Sequence, residues 1–491
     1  MIRFSATLVL ALLVLPAAAP AQEAPIGPGL DAWLARAQRS APGTWGVVVA
    51  DQSGNILWST NASEPMVPAS TVKLLTTGFA RTVVGGEARR ATRVVGSGRV
   101  DPATGTWLGR WALELNGDVT LERRDRTGPS LADLAAQLAS IGVRKLVGPL
   151  TVTTSVGEPR STYPAAWASR HRGRIFAPPV GPITLNENVV EFTIAPGAKV
   201  GSRAVLVGDA PAGAGALVKI TATTVAGSRS SLSFGALSGG GWQVSGRIGT
   251  RAGARRYAAV ASDPTAVLEA AWSHAVITAG ITWVRTASIG SAEPGARKVL
   301  AEIVSQPFDS VAHEINSRSL NIGAELMLLW GGGADRAADR LTQHVRAITG
   351  LSEGVTLHDG SGLSSDDRVS PFVFTSYLAK FPLTAAGKNF PMLLPANGSG
   401  TLRRLAAGLP GPGVVRAKTG TLGNASTLVG YLGRSSGTLL IAAMYNGGSV
   451  GAAKQAEWAL FRLLGADGVV VPLDFDANSA LGSTPDEPPS P

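Results

Sequence analysis

From Leu30 to Ala37 the apolar positions return at helical spacing, and the chain then changes rhythm. Trp45–Asp51 and Ile56–Thr60 read as two strands about Gln52-Ser53-Gly54-Asn55, a hairpin signal. Next, Val72, Leu74, Leu75 and Phe79 predict a well-buried helix behind Ser70. From about Gly85 to Glu293 the texture turns Gly-, Thr- and Val-rich with frequent turns, which predicts a strand-rich insertion. Within it, residues 190–248 read as all-β, with V-E-F-T-I, A-V-L-V, V-K-I-T-A-T-T-V and W-Q-V-S-G separated by glycine-rich turns. Helical texture resumes over Ala301–Trp330 and Ala334–Ile348. S-T-L-V-G-Y-L and T-L-L-I-A-A-M-Y predict paired strands on either side of Gly433–Gly437, and Ala452–Leu464 an amphipathic helix. Strands near both ends with helices between them predict one sheet closed by both termini.

Composition narrows the class. At 491 residues the chain has room for more than one domain, and 45% hydrophobic against 16% charged residues is a globular balance. The net charge of +10 comes mostly from scattered arginine. Arg89, Arg90, Arg93 and Arg123, Arg124, Arg126 form short clusters that read as solvated faces; no zinc-ligand spacing or aromatic RNA-binding signature points to nucleic acid. The start is more specific. Met1-Ile-Arg3 is basic, Ala6–Leu15 is an apolar run too short to span a bilayer, Pro16 breaks it, and Ala19-Pro20-Ala21 offers small residues for a signal peptidase. Residues 1–21 are therefore expected to be a signal peptide, and the mature protein to be exported to the periplasm or cell envelope without a transmembrane segment. Without cysteine there is no disulfide framework and no lipid anchor at the cleavage site. Residues 471–491, rich in Pro, Ser and Asp, are expected to be a disordered tail.

The chemistry starts at P-A-S-T-V-K, Pro68 to Lys73. Only nine lysines occur in the chain, and Ser70–Lys73 is the one S-x-x-K among them. On a helix, residues three apart share a face, so the lysine amine can reach the serine hydroxyl. Serine is a poor nucleophile at neutral pH, and a lysine whose pKa is lowered by burial or a nearby cation can take its proton. Alone, the pair also fits a helix-start serine beside a surface lysine. R-A-K-T-G-T, Arg416 to Thr421, adds a lysine, a hydroxyl and a glycine on an expected edge strand, where a peptide can lie alongside and a cation can hold its carboxylate. S-x-N occurs at Ser53, Ser59 and Ser319; only Ser319-Leu320-Asn321 falls between Ser70 and Lys418, and the other two read as turn and strand.

In that order, S-x-x-K, S-x-N and K-T-G resemble the serine penicillin-binding proteins and β-lactamases. About 245 residues separate Lys73 from Ser319, far more than in a β-lactamase. In this the chain resembles the class C low-molecular-mass penicillin-binding proteins, D-alanyl-D-alanine carboxypeptidases/endopeptidases. L-N-G-D at Leu115, F-A-P-P-V-G-P-I-T-L-N-E-N-V-V at Phe176 and L-H-D-G-S-G-L-S at Leu357 are similar to the same family. The resemblance implies an α/β (α+β) β-lactamase/transpeptidase-like catalytic domain over residues 22–85 and 298–470. It implies an inserted α+β domain over 86–187 and 251–297, and a small all-β domain over 188–250.

It also implies roles. Ser70 attacks the D-Ala–D-Ala carbonyl, Lys73 is its general base, and Ser319 passes a proton to the leaving D-alanine. Asn321 bonds the substrate amide; Lys418, Thr419 and Gly420 lie along its terminal carboxylate; the N–H groups of Ser70 and Thr421 form the oxyanion hole. Lys418 is expected to depress Lys73 by like-charge repulsion. Partners would be peptidoglycan stem peptides and β-lactam antibiotics, with no metal or other cofactor. Where family members grip a diaminopimelate side chain with an arginine after S-G-L-S and an acid after a tryptophan, this chain has Ser365 and Ser169. A β-lactamase and a non-catalytic wall-binding scaffold are the competing readings. A lactamase would carry an extra glutamate after S-x-N, which nothing here marks, and a scaffold has no need of Ser70, Lys73, Ser319 and Lys418 together.

Overall fold

The two ends of the described chain meet in one antiparallel sheet. The computed structural model describes residues 27–125, 127–238, 240–285 and 296–472; the signal peptide expected over residues 1–21, and all but the first two residues of the expected tail, lie outside them. The sheet runs, from one edge, Val415–Leu422, Ala425–Arg434, Gly437–Asn446, Thr44–Ala50 and Ile56–Thr60. Its inner strands are buried along almost their whole length. Such strands are covered on both faces, which is why they read as apolar runs rather than alternations. Val48, Ala50, Leu440, Ala442 and Met444 face helices Val72–Val84, Ala337–Thr349 and Pro371–Lys380. Trp45, Val47, Val49, Ile441, Ala443 and Tyr445 face helices Gly27–Ser40 and Val450–Leu464. Each buried Val, Leu or Ile contributes about 1.5–3 kcal/mol, so this two-faced core is what holds the termini together.

Between Val84 and Phe308 the chain builds separate sheets. Lys298–Val304, Ala91–Val100, Trp107–Glu114 and Val152–Thr153 form one, backed by helices Leu131–Ser140 and Pro264–Thr278. Arg255–Val260, Val189–Ala195 and Val205–Ala210 form a second; Thr223–Val225, Trp242–Gly249 and Ser230–Ala236 form a third, which Val218–Ile220 joins through Trp242–Gly249. Three placements differ from the sequence expectation. Lys298–Val304, expected with the second catalytic segment and helical from Ala301, is a strand paired to Ala91–Val100. Its apolar residues suit either state; Pro307 is the break, and the helix starts at Phe308. V-K-I-T-A-T-T-V is two short strands on successive parts of Trp242–Gly249, and Arg255–Val260 extends the small β region past residue 250.

The arginine clusters are only partly solvated faces: Arg89 and Arg124 are exposed, Arg90, Arg93 and Arg123 are turned inward, and Arg126 lies outside the described residues. Arg93 pairs with Glu114 at 2.8 Å and also with Glu302. Arg123 bonds Glu314 at 2.6 Å and approaches Glu187 at 3.5 Å. Arg318 closes the ring on Glu187 at 2.9 Å and Glu314 at 2.7 Å. Charge on an inner surface must be paired, and here the pairing ties the inserted region to helix Phe308–Arg318.

Candidate active site

Ser70 sits in a 3₁₀ turn, Ala69–Thr71, that runs into helix Val72–Val84. Ala69 holds φ at 48°, a left-handed conformation costly for a residue with a Cβ. Its surroundings fix it. Asn446 Oδ1 accepts from Val67 N at 2.9 Å, and the Pro68 carbonyl accepts from Thr71 Oγ1 at 2.6 Å and Thr427 Oγ1 at 2.8 Å. Entry to the helix is thus pinned from the sheet, and Ser70 is left partly exposed.

Lys73, one turn on, is fully buried. Its Nζ donates to Ser70 Oγ at 2.9 Å, Asn321 Oδ1 at 2.7 Å and the Ser361 carbonyl at 2.6 Å, a full set for an ammonium with three donors. Burial lowers its pKa to about 8, against the pull of Asp359, Glu325 and Asp367. The expected cause differs: burial, not Lys418, brings Lys73 down. Like-charge repulsion falls on Lys418, which burial, then Lys73, then Lys454 hold well below the ordinary lysine value.

Ser319 caps helix Phe308–Arg318 with φ 58°, a second strained residue at the site. Its Oγ accepts from Lys418 Nζ at 2.9 Å, and Lys418 also donates to the Thr419 carbonyl at 2.7 Å. Asn321 opens the next helix, Asn321–Gly332. Its Oδ1 meets Lys73, and its Nδ2 donates to the Phe176 carbonyl at 2.8 Å. Both ends of the amide are therefore engaged, and its second N–H is what remains for a substrate amide.

Lys418, Thr419, Gly420 and Thr421 lie on the edge strand Val415–Leu422. Near its start the edge is occupied, since Ala417 N donates to the Pro395 carbonyl at 3.2 Å. Strand alternation then turns the N–H groups of Thr419 and Thr421 toward the same, outer side. Gly420 lies against the Ser70 turn: a Cβ there would sit 2.2 Å from Thr427 Oγ1, 2.8 Å from the Pro68 carbonyl and 3.0 Å from Ser70 N. The structure thus brings Ser70, Lys73, Ser319, Asn321 and the K-T-G strand around one cleft, able to move a proton off a hydroxyl and to hold an extended peptide beside it.

The profile of the D-Ala-D-Ala carboxypeptidase 3 (S13) family matches residues 30–464. The chain belongs to this family. It is 27% identical over 431 residues to a D-alanyl-D-alanine carboxypeptidase of Actinomadura sp. (strain R39), covering 82% of this chain and 78% of the relative. With a carboxypeptidase of Mycobacterium tuberculosis (strain ATCC 25618 / H37Rv) it shares 28% identity over 418 residues, 79% of this chain and 72% of that one. Penicillin binding protein 4 of Haemophilus influenzae has the same fold, with a TM-score of 0.68 at 20% identity over 87% of this chain and 99% of that one. The protein is accordingly a serine-type D-Ala-D-Ala carboxypeptidase, a hydrolase. Among the described residues no helix is long and apolar enough to cross a membrane.

Sequence reasoning quoted the carboxypeptidase's H-D-G-S-G-L-S stretch only for its resemblance and missed what it does locally. Gly362, at φ 74°, packs so tightly that a Cβ would lie 1.8 Å from the Ala69 carbonyl oxygen. Asp359, Asp367 and Glu325 are buried behind it. The available signal was Asp359 followed by two glycines enclosing a serine, with Asp366-Asp367 a few residues on. Ser169 opens a short turn, Ser169–His171, and is exposed, as are Arg170, Arg172 and Arg174 beside it. Ser365 is also exposed; Arg368 Nη1 donates to the Ser365 and Asp367 carbonyls, 2.8 Å each.

Proposed function

We propose that this carboxypeptidase cleaves the terminal D-Ala–D-Ala bond of peptidoglycan stem peptides through an acyl-enzyme on Ser70. The observation that carries the reading is the 2.9 Å contact between Ser70 Oγ and an amine held to a pKa of about 8. Neutral Lys73 takes the hydroxyl proton as Oγ attacks the carbonyl carbon, and the resulting oxyanion lies between the N–H groups of Ser70 and Thr421. Ser319, bonded to Lys418, gives its proton to the departing amine and is reprotonated by the one Lys73 took from Ser70, so that D-alanine leaves and Lys73 is neutral again. Water then attacks the ester, gives a proton back through Lys73, and frees Ser70. The substrate's terminal carboxylate lies against Lys418, Thr419 and Gly420, and its charge raises the pKa of Lys418 back toward the ordinary lysine value. The same acyl transfer accounts for acylation by penicillins and for endopeptidase cleavage of cross-linked peptides.

The catalytic unit proposed here runs over residues 22–85 and from about 305 to 470, since Lys298–Val304 pairs within the inserted sheet. The remainder forms an α+β unit and a small β unit reaching about residue 260. The basic start and short apolar run of residues 1–21 support export to the envelope. Labelling with a fluorescent penicillin tests the core of this reading: wild type takes up a stable label, and Ser70→Ala takes up none. Label on Ser70→Ala would move the nucleophile elsewhere, and fast release from wild type would point to a lactamase.

A further inference from the structure

Glu325, Asp359 and Asp367 are buried together behind Lys73, and the acyl-transfer reading uses none of them. Asp359 accepts four consecutive backbone N–H groups. Ser361 and Gly362 reach Oδ1 at 3.1 and 2.6 Å, and Leu363 and Ser364 reach Oδ2 at 3.0 and 2.7 Å. One carboxylate is thus the hub about which the loop folds. That loop turns the Ser361 carbonyl onto Lys73 Nζ and lays Gly362 against the Ala69 carbonyl. Thr76 Oγ1, on the Ser70 helix, donates to the Gly360 carbonyl at 2.7 Å, and Glu325 accepts Gly360 N at 3.1 and 3.2 Å.

The donors separate the three acids. Asp359 accepts four N–H groups, two on each oxygen. Asp367 accepts His358 N on Oδ1 at 2.7 Å, while its Oδ2 is buried without a donor and interacts with Asp359. Two bare carboxylate oxygens repel; a proton on Asp367 turns their contact into a hydrogen bond. Burial and the charge of Asp359 push Glu325 up to about 8 and Asp367 well above its ordinary value. Lys73 therefore faces Asp359 and Asp367 from the loop and Glu325 from helix Asn321–Gly332, with Lys418 approaching from the edge strand.

We propose that Asp359 is a positioning residue: by accepting four consecutive backbone N–H groups it holds the Ser361 carbonyl on Lys73 and Gly362 against the Ser70 turn, while Asp367 and Glu325 tie the same loop through His358 N and Gly360 N. This rests on the reading of Ser70 and Lys73 as nucleophile and base. The test follows D-alanine release from pH 5 to 10, and penicillin acylation, in wild type, Asp359→Asn, Asp367→Asn and Glu325→Gln, with melting curves for each. Asp359→Asn, which keeps the size but loses the charge, lowers kcat/KM about 100-fold, mostly in kcat. The acid limb of its remaining activity moves to lower pH, because the anion favouring protonated Lys73 is gone. The amides at the other two acids lose less than about tenfold, and their limbs move down by less than that of Asp359→Asn and by under about one unit, since each pulls on Lys73 less than Asp359 does. A folded Asp359→Asn with wild-type rate or an unmoved limb overturns the proposal. If Asp359→Asn does not fold, the amide variants decide: a limb that moves by more than about one unit in either overturns it, and smaller shifts support it. Failure of wild type to be acylated would instead sink the reading of Ser70 itself.

Discussion

Lys73 is a buried amine with three acceptors, and each part of that description has a kinetic consequence. With a pKa of about 8, about a tenth of it is neutral at pH 7. If the neutral form is the base, kcat/KM rises about tenfold per pH unit below 8 and levels above it. A profile flat from pH 6 to 9 would contradict that. Lys73→Ala is expected to lose about 10²–10⁴-fold in penicillin acylation while keeping a native circular dichroism spectrum. Wild-type acylation in that folded variant would show that another group activates Ser70. The sequence alone suggests that this lysine lies on a helix face and is cheap to remove. Its burial and its contact with the Ser361 carbonyl change that: the variant leaves an acceptor unpaired and should melt lower, by about 1–3 kcal/mol of stability. Ser70 and Lys73 were legible because one helical turn joins them. Asp359 and Glu325 were not, because their effect depends on burial and on contacts across more than 250 residues of chain from Lys73.

At the scale of elements, the site exists because four pieces of chain touch at the Ser70 turn: its own helix, the Lys418 strand, the Ser319 corner and the loop after His358. Periodicity found the helix and the terminal strands, since a fully buried strand and a buried helix both leave long apolar runs. It misread residues 301–304 because a short apolar strand is not distinguishable by composition from the start of a helix, and it missed the loop because loops have no period. The loop's importance is instead a matter of close approach. Gly362→Ala adds a methyl group 1.8 Å from the Ala69 carbonyl oxygen, at a φ of 74°. Backbone faces backbone there, so neither side can rotate away. The substitution should cost more than about 2 kcal/mol and suppress acylation even at temperatures where the protein remains folded. A Gly362→Ala protein with wild-type melting and labelling would mean that the loop yields freely and does not shape the nucleophile turn.

For the molecule as a whole, the closure of one sheet by both termini followed from sequence, but the way the insertion reaches the cleft did not. It does so through the Phe176 carbonyl on Asn321 and the ion ring joining Arg123 and Glu187 to Glu314 and Arg318, next to Ser319. Both parts therefore border the cleft. By resemblance, a diaminopimelate side chain would be held by an acid on the inserted side and an arginine after S-G-L-S. Here those places carry Ser169, beside exposed Arg170, Arg172 and Arg174, and Ser365. Arg368 spends Nη1 on the Ser365 and Asp367 carbonyls rather than on the cleft. Among the described residues, the exposed charges beside Ser169 are cations, and the exposed acid next to Ser365, Asp366, stands on the arginine's side of the pair rather than where an acid for the ammonium group is expected. A hydrogen bond to a charged group is worth about 1.5–3 kcal/mol, so losing a zwitterion-binding pair weakens binding tenfold or more. Two pentapeptides ending in D-Ala-D-Ala, one with a free diaminopimelate end and one with an uncharged side chain, should therefore release D-alanine with kcat/KM values within about tenfold of each other. A preference of about a hundredfold or more for the free diaminopimelate end would require an acid to reach the ammonium group, and the position assigned to Ser169 would then be the wrong place to look for it.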